Sequence, residues 1–301
     1  MKTSNSIIRN LPMALLLMMS IGWLRAESAA DLTTAQQYLD SGQFEQAYEL
    51  LDTLVERSPN DSQVHYWRGA AAGMLAANAS MFKAGRYAKV VRSSFEKAID
   101  LDPDYLDAYQ GLISFHLQAP GIVGGSKKKA MALAKQLSDI APVEGALATA
   151  QIQMARKDVD DARETLAALV EQVPEDPRPW VQRGLFAQSD EDYATAHMAF
   201  VNASKVGDTS PSHQRARLQG LYQIGRTAVF ADARRDEGIT ALRDYLSQDL
   251  LSGLPGKDWA NFRLGILLEA SGQTDEAVAA FAAAREITDD DQLIKLLAER
   301  S

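Results

Sequence analysis

The chain has 301 residues, no cysteine and a formal net charge of −9 at pH 7. Without cysteine it forms no disulfide and offers no thiolate to a metal or a substrate. The acidic balance argues against a general nucleic-acid-binding role, because such proteins need a broad basic surface to neutralise phosphates. We therefore expect no nucleic-acid partner and a fold that is stabilised by burial of apolar side chains alone.

The N-terminus has the order of a secretory signal peptide. Two basic residues precede an apolar run from Leu11 to Leu24, and small residues follow at Ala26 and Ala30. The run is short for a membrane-spanning helix, which needs about 20 residues. The sequence therefore predicts a signal peptide over 1–26, cleaved between residues 26 and 30. Retention as an uncleaved anchor is the alternative.

The compartment follows from the same segment. A lipid anchor at the cleavage site requires a cysteine, which the chain lacks, and no later segment is apolar enough to span a membrane. Residues 1–26 carry basic side chains and no acid, so their removal makes the mature protein more acidic. We expect a periplasmic or secreted protein without stable membrane insertion after signal cleavage.

Between Ala29 and Asp289 the apolar residues recur at three- and four-residue spacing, which is typical of amphipathic helices. Small and aromatic residues also recur in register in "YLDSGQFEQAYELLDTLVERSP", "WVQRGLFAQSDEDYATAHMAFVNAS" and "FRLGILLEASGQTDEAVAAFAAA". The second and third of these segments place equivalent residues at Gly184, Ala196 and Phe200, and at Gly265, Ala277 and Phe281. Weaker copies fill the intervals, so the chain is built from repeats.

This pattern resembles the tetratricopeptide repeat, a helix-turn-helix unit of about 34 residues with the pattern W-x2-L-G-x2-Y, A-x3-F and P. The resemblance implies an all-α fold, a right-handed superhelical solenoid of antiparallel helix pairs. It divides the chain into about seven repeats, approximately 28–61, 62–105, 106–144, 145–176, 177–210, 211–257 and 258–289, before a C-terminal capping helix over 290–301.

Two repeats are longer than the others. We expect insertions between the paired helices near 78–86 and 118–126, which project without disturbing the stack because each repeat contacts only its neighbours. The pattern also predicts how the helices pack. Gly184 and Ala196 are small where the two helices of one repeat touch, and Phe200 fills the space against the next repeat.

Arrangements of catalytic residues are almost absent. The four histidines are scattered, and no G-x-S-x-G or H-E-x-x-H motif occurs. The segment "QAPGIVGGSKKKA" comes nearest to a nucleotide-binding loop, but Ser126 stands where that loop needs glycine and Lys128 where it needs serine or threonine. The sequence therefore predicts no enzyme, no cofactor and no metal site.

The lysines of this segment are unusual for their position. Ser126 is predicted to cap a helix whose first turn is Lys127, Lys128 and Lys129, against the helix dipole, where other repeats carry acids. The preceding repeat adds Lys83, Arg86, Lys89 and Arg92. One hypothesis is an anion-binding edge in which glycine N–H groups, the helix N-terminus and these side chains converge. The alternative is a solvated basic turn balanced by nearby aspartates.

The resemblance implies a second candidate surface. In this family the first helix of each repeat lines a concave groove that takes a peptide or a helix, so the implied partner is a protein or peptide. By alignment the groove residues are Tyr66, Gln110, Gln151, Leu185, Tyr222, Trp259 and Phe262. The lysine and asparagine clamp with which some members hold a C-terminal carboxylate is not apparent.

Two functions are consistent with these features. The first is a non-catalytic exported scaffold or adaptor that mediates protein–protein interaction through the solenoid surface. The second is a small-molecule-binding or transporter-accessory periplasmic subunit, because the "GGSKKKA" turn resembles one in tetratricopeptide subunits associated with TRAP transporters.

Overall fold

The computed structural model describes residues 28–207 and 210–300, so the predicted signal peptide lies outside the described residues. Throughout these two ranges the regular structure is helical, and the predicted all-α fold class is confirmed. The helices are α1 (28–40), α2 (Phe44–Arg57), α3 (Ser62–Asn78), α4 (Met81–Leu101), α5 (Leu106–Gln118), α6 (Lys127–Ile140), α7 (Pro142–Arg156), α8 (Val159–Gln172), α9 (Pro177–Ser189), α10 (Tyr193–Lys205), α11 (Pro211–Ala231), α12 (Arg235–Ser247), α13 (Lys257–Ala270), α14 (Thr274–Ile287) and α15 (Asp291–Ala298).

The odd-numbered helices α1 to α13 are the first helices of the repeats, and the even-numbered helices are their second helices. The chain forms two compact units, unit 1 up to Lys157 and unit 2 from Asp158. Inside unit 2 the first helices α9, α11 and α13 pack side by side. None of the helices within 28–207 and 210–300 is both long enough and apolar enough to cross a membrane.

Close contact between a glycine and an aromatic ring joins the two helices of a repeat. A Cβ atom on Gly184 would lie 2.5 Å from Cε1 of Phe200, and one on Gly265 would lie 2.5 Å from Cε1 of Phe281. Each ring therefore covers the first-helix glycine of its own repeat. The prediction that Phe200 fills the space against the next repeat is thus incomplete, because its ring also fills the space within the repeat.

The two predicted insertions differ in structure. The residues near 78–86 form no projecting loop, because α3 and α4 extend to 17 and 21 residues and only Ala79 and Ser80 lie between them. Buried side chains recur at helical spacing along α4, which explains why the helix continues. The residues near 118–126 do lie between helices, and they contain a short 3-10 turn at Gly121–Val123.

The last helix, α15, covers the end of unit 2. Asp290 caps it by accepting hydrogen bonds from the backbone N–H groups of Gln292 and Leu293, at 2.8 and 3.1 Å. Leu293 and Leu297 lie one turn apart and are both buried. Its polar residues lie on the other side, as a terminal element of a repeat stack requires.

Asp176 caps α9 and makes the stability of this region depend on pH. Its carboxylate accepts hydrogen bonds from the backbone and side chain of Arg178, each at 2.9 Å, and lies 3.6 Å from Nε2 of His213. Burial raises the pKa of Asp176, but these hydrogen bonds and the charges of Arg178 and His213 outweigh it and lower the pKa below 3.8. The ionised carboxylate therefore stabilises the fold above that pH.

We expect Asp176→Asn to lower the free energy of unfolding by about 1–3 kcal/mol at neutral pH, because charge-assisted hydrogen bonds to Arg178 are lost. The difference should shrink as the pH falls below 3.8 and through the lowered pKa, since the wild-type carboxylate becomes neutral there. Urea unfolding followed by circular dichroism at several pH values measures this. An equal difference at neutral and at low pH would contradict the assigned role.

Candidate functional site

The glycine-rich turn between α5 and α6 is closed by its own hydrogen bonds. The side chain of Ser126 accepts a hydrogen bond from the backbone N–H of Lys129 at 3.3 Å, so Ser126 is the N-cap of α6. The N–H groups of Gly124 and Gly125 donate to the carbonyls of Gly121 and Pro120, at 3.1 and 3.2 Å. For Gly124 and Gly125, the prediction that glycine N–H groups are free to bind an anion is therefore wrong, because the turn itself uses them.

The three lysines in the first turn of α6 make different contacts. Lys127 donates from Nζ to the carbonyl of Ala155, near the C-terminal end of α7. That contact explains a lysine at the N-terminus of α6, because the carbonyls at the end of a helix carry partial negative charge. Lys127 and Lys128 both line an open cleft of about 780 Å³ between α6 and α7, together with Lys135 and Arg156.

Lys129 and Arg92 lie near the imidazole of His116. Burial lowers the pKa of His116, the positive charges of Lys129 and Arg92 lower it further, and the hydrogen bond to the carbonyl of Gly124 opposes them. Of the two basic segments, the structure thus brings Arg92 of α4 towards Lys129 of α6. The other α4 residues of the predicted basic segment are exposed and do not line the cleft, as expected for a solvated surface: Lys83, Arg86 and Lys89.

The histidines make separate contacts. Nε2 of His65 donates to the carbonyl of Pro59 at 2.9 Å, and Nε2 of His197 lies 2.8 Å from the carboxylate of Glu237. Both imidazoles are buried. In the described part of the chain, histidines and carboxylates form no group of three that could hold a metal ion.

The predicted groove residues divide into exposed and buried side chains. Gln110 and Gln151 are exposed, and Tyr66, Leu185 and Trp259 are partly buried. Tyr222 and Phe262 are only 4% and 6% exposed. These two rings belong to the core of unit 2 because the second-helix residues Tyr245 and Phe281 pack against them, so their assignment as groove surface is wrong.

Beside these aromatic residues, unit 2 contains two arginines that the predictions did not include. Nη1 of Arg263 donates to the hydroxyl of Tyr222, and its guanidinium lies 5.0 Å from the Tyr222 ring centroid and 4.9 Å from that of Trp259. Nη1 of Arg226 donates to the side-chain carbonyl of Gln188. Its guanidinium lies 4.7 Å from the ring centroid of Phe230. We call Arg226, Arg263, Tyr222, Gln188 and Gln223 the arginine cluster.

The polar groups of the arginine cluster are held by hydrogen bonds inside unit 2. Nε2 of Gln188 donates to the hydroxyl of Thr227 at 2.9 Å, and this hydroxyl donates to the carbonyl of Gln223 at 2.7 Å. Gln188, Gln223 and Thr227 are all buried. Because buried polar side chains with satisfied hydrogen bonds are fixed in position, the two guanidiniums are held on a rigid frame.

The arginine cluster contains two positively charged side chains and no acidic side chain. Burial lowers the pKa of Arg263, and the positive charge of Arg226 lowers it further. Burial raises the pKa of Tyr222, whereas the two arginines lower it. Within 28–207 and 210–300, neither Arg226 nor Arg263 forms an ion pair with a carboxylate. The cluster therefore carries two positive charges that the unit does not neutralise.

Sequence comparison agrees with the helix pairs. Two sequence models of the tetratricopeptide repeat match the chain, one over residues 32–105 and the other over residues 145–176 and 259–286. The chain is a tetratricopeptide repeat protein. Its matched segments lie in both units, and no curated protein has a matching sequence.

Solved structures share the fold of this tetratricopeptide repeat protein. A chain in the crystal structure of the APC/C hetero-tetramer Cut9–Hcn1 is 17% identical over 88% of this chain and 47% of its own length, with a TM-score of 0.54. Yeast Tom70 is 12% identical over 85% of this chain and 58% of its own, with a TM-score of 0.56. An IFIT1 mutant is 14% identical over 91% and 62%, with a TM-score of 0.54. The present chain thus spans less than two thirds of each of these proteins.

One signal in the tetratricopeptide sequence could have revealed the arginine cluster. Arg226 follows Tyr222 by four residues, and Arg263 follows Trp259 by four residues, in consecutive first helices. Side chains four residues apart share a helix face, so each arginine had to lie next to a predicted groove aromatic. The prediction instead placed a charged binding site at Lys127, Lys128 and Lys129 in unit 1.

Proposed function

We propose that this protein is a non-catalytic exported scaffold that binds a protein partner on the first-helix surface of unit 2. Tetratricopeptide repeats form extended surfaces suited to protein–protein interaction. The observation that carries the proposal is the combination of two unneutralised arginines with Trp259 and Phe230, the latter 48% exposed. Arginine and aromatic side chains are the types enriched at protein interfaces and at their energetic hot spots.

The N-terminal pattern supports export. A basic start, an apolar run and small residues before Glu27 have the order of a signal peptide. The absence of cysteine is also compatible with an oxidising compartment, since no thiol is exposed to oxidation there. The scaffold is therefore proposed to act in the periplasm or outside the cell.

A cross-linking experiment tests this function. The full chain with a C-terminal tag is produced in its host, cross-linked in intact cells and purified, and its mass and captured proteins are determined. We expect the mass of a mature chain whose first residue lies between 27 and 31. We also expect one protein to be enriched reproducibly. Phe230→Ser should reduce that enrichment at least about tenfold, because exposed aromatic anchors dominate interface energies.

Val278→Ser is the matched control for Phe230→Ser. Val278 is 61% exposed on α14, a second helix, so its replacement removes a similar exposed apolar group elsewhere in unit 2. Enrichment should survive in this variant. A chain that captures no specific protein, or that loses capture equally in both variants, is not the proposed scaffold.

The cleft between α6 and α7 favours a second function, binding of a small anionic molecule. Its volume of about 780 Å³ is in the range of small-molecule sites, and Lys128, Lys135 and Arg156 line it beside Met131. A thermal-shift panel of small anions separates the two functions. A ligand that binds the folded state raises the melting temperature, whereas a pure protein scaffold shows no such shift.

A further inference from the structure

Arg226 and Arg263 are an electrostatic anomaly in unit 2. Both guanidiniums are partly buried, both lower the pKa of the Tyr222 phenol, and the positive charge of Arg226 lowers the pKa of Arg263. Protein interiors rarely keep charged groups away from water without a charged partner, because the loss of hydration is costly. Other arginines of unit 2, such as Arg243 and Arg300, do pair with carboxylates.

Acidic residues of the same unit do not neutralise the pair. Asp258 is the carboxylate that acts on Tyr222, but its own oxygens accept hydrogen bonds from the hydroxyl of Thr288 and the backbone N–H of Trp259, at 2.9 and 2.8 Å. Asp290 accepts from the indole N–H of Trp259 at 3.1 Å and caps α15. Both carboxylates are therefore engaged elsewhere.

We propose that the arginine cluster binds the side-chain carboxylate of an aspartate or glutamate inside a peptide segment of the partner protein. The proposal rests on the scaffold function and names the chemistry of its partner. A guanidinium presents parallel N–H donors that match the two oxygens of a carboxylate. Arg263 and Arg226 come from consecutive first helices, so one carboxylate between them bridges α11 and α13.

The surroundings of the cluster favour an acid within a peptide over a chain end. Phe230 lies against Arg226 on one side, and Trp259 lies against Arg263 on the other. A peptide that continues on both sides of its acid places an apolar side chain on each ring. A C-terminal carboxylate has residues on one side only and leaves one of the two aromatic contacts unused.

A positional-scanning peptide array tests the inference. Each acetylated and amidated octapeptide mixture has one fixed residue, and binding of the full-length purified protein is measured on the array and by fluorescence anisotropy. We expect mixtures with fixed glutamate or aspartate to bind at least about tenfold better than those with fixed glutamine or asparagine, as for loss of a charge-assisted hydrogen bond. Arg226→Gln and Arg263→Gln should each abolish that preference.

Two further proteins complete the experiment. Arg263→Lys keeps the charge but loses the paired donors, and we expect it to lose most of the preference for acid. Arg243→Gln removes an exposed arginine of α12 that pairs with Glu276, and it should bind like the wild type. Circular dichroism and melting temperature show whether each variant is folded.

The possible results separate the inference from the function on which it rests. Equal binding of glutamate and glutamine mixtures by the wild type, or a preference that survives in Arg226→Gln and Arg263→Gln, overturns the carboxylate site and leaves a peptide-binding scaffold. A parallel set of mixtures with a free C-terminal carboxylate is measured as well, and a preference that appears only in that set also overturns the carboxylate site, because a chain end is then the ligand. Binding of no mixture counts against the carboxylate site and the scaffold function together.

Discussion

Replacing Gly184 with valine is expected to lower the free energy of unfolding by at least about 3 kcal/mol, at the upper end of overpacking effects. The Cβ atom alone would lie 2.5 Å from Cε1 of Phe200, and Phe200 is fully buried, so its ring has no free space to enter. Valine also adds two methyl groups and gains little helix propensity over glycine. Urea unfolding followed by circular dichroism gives the shift in midpoint.

Two comparisons assign the effect to the contact between Gly184 and Phe200. Gly207→Ala adds a methyl group where nothing lies within 4 Å, and we expect it to change stability by less than about 0.5 kcal/mol. The double variant Gly184→Val with Phe200→Ala should lose less stability than the sum of its single variants, because the valine occupies part of the space that the ring leaves. Additive losses would show that the two residues do not interact.

The second large effect is expected in the glycine-rich turn between α5 and α6. A Cβ atom on Gly125 would lie 1.7 Å from the carbonyl oxygen of Ala119. This neighbour is backbone, so it moves only if the turn opens and the hydrogen bonds of Gly125 and Ser126 to Pro120 and His116 are lost. We expect Gly125→Ala to lower the free energy of unfolding by about 2–4 kcal/mol.

Gly121→Ala is the matched control within the same turn. Gly121 is exposed, and a Cβ atom there would have no neighbour within 4 Å. The control should stay within about 0.5 kcal/mol of the wild type, whereas Gly125→Ala should also speed amide hydrogen exchange at Ser126. Similar stability of the two variants would mean that the turn adjusts and that Gly125 is not required.

The sequence predicted the fold better than the candidate sites. Small residues and aromatics recur at set spacing, as at Gly184 and Phe200, because the two helices of every repeat pack against each other in the same way. That regular spacing can be read directly from the amino-acid sequence. The extension of α4 through the predicted insertion was not, because Gly85 is a residue type common in turns, yet it lies inside the helix.

The candidate sites were harder to predict, because they depend on which other groups each side chain contacts. Lys127 looked unsatisfied at a helix N-terminus, yet it donates to the carbonyl of Ala155 on the next helix. Tyr222 had the position of a groove residue, yet it is buried against Tyr245. In both cases the contacting group belongs to a residue more than 20 positions away in the chain.

The sequence by itself determined the all-α repeat architecture and the pairing of helices, because these follow from periodic burial along a single chain direction. Only the tertiary structure decided which charges are paired. Lys127 contacts the end of α7, whereas Arg226 and Arg263 lie on neighbouring first helices and form no ion pair with a carboxylate of residues 28–207 or 210–300. Whether a charged side chain is neutralised depends on its distance from charged groups in other repeats. The order of residues within one repeat does not specify those distances.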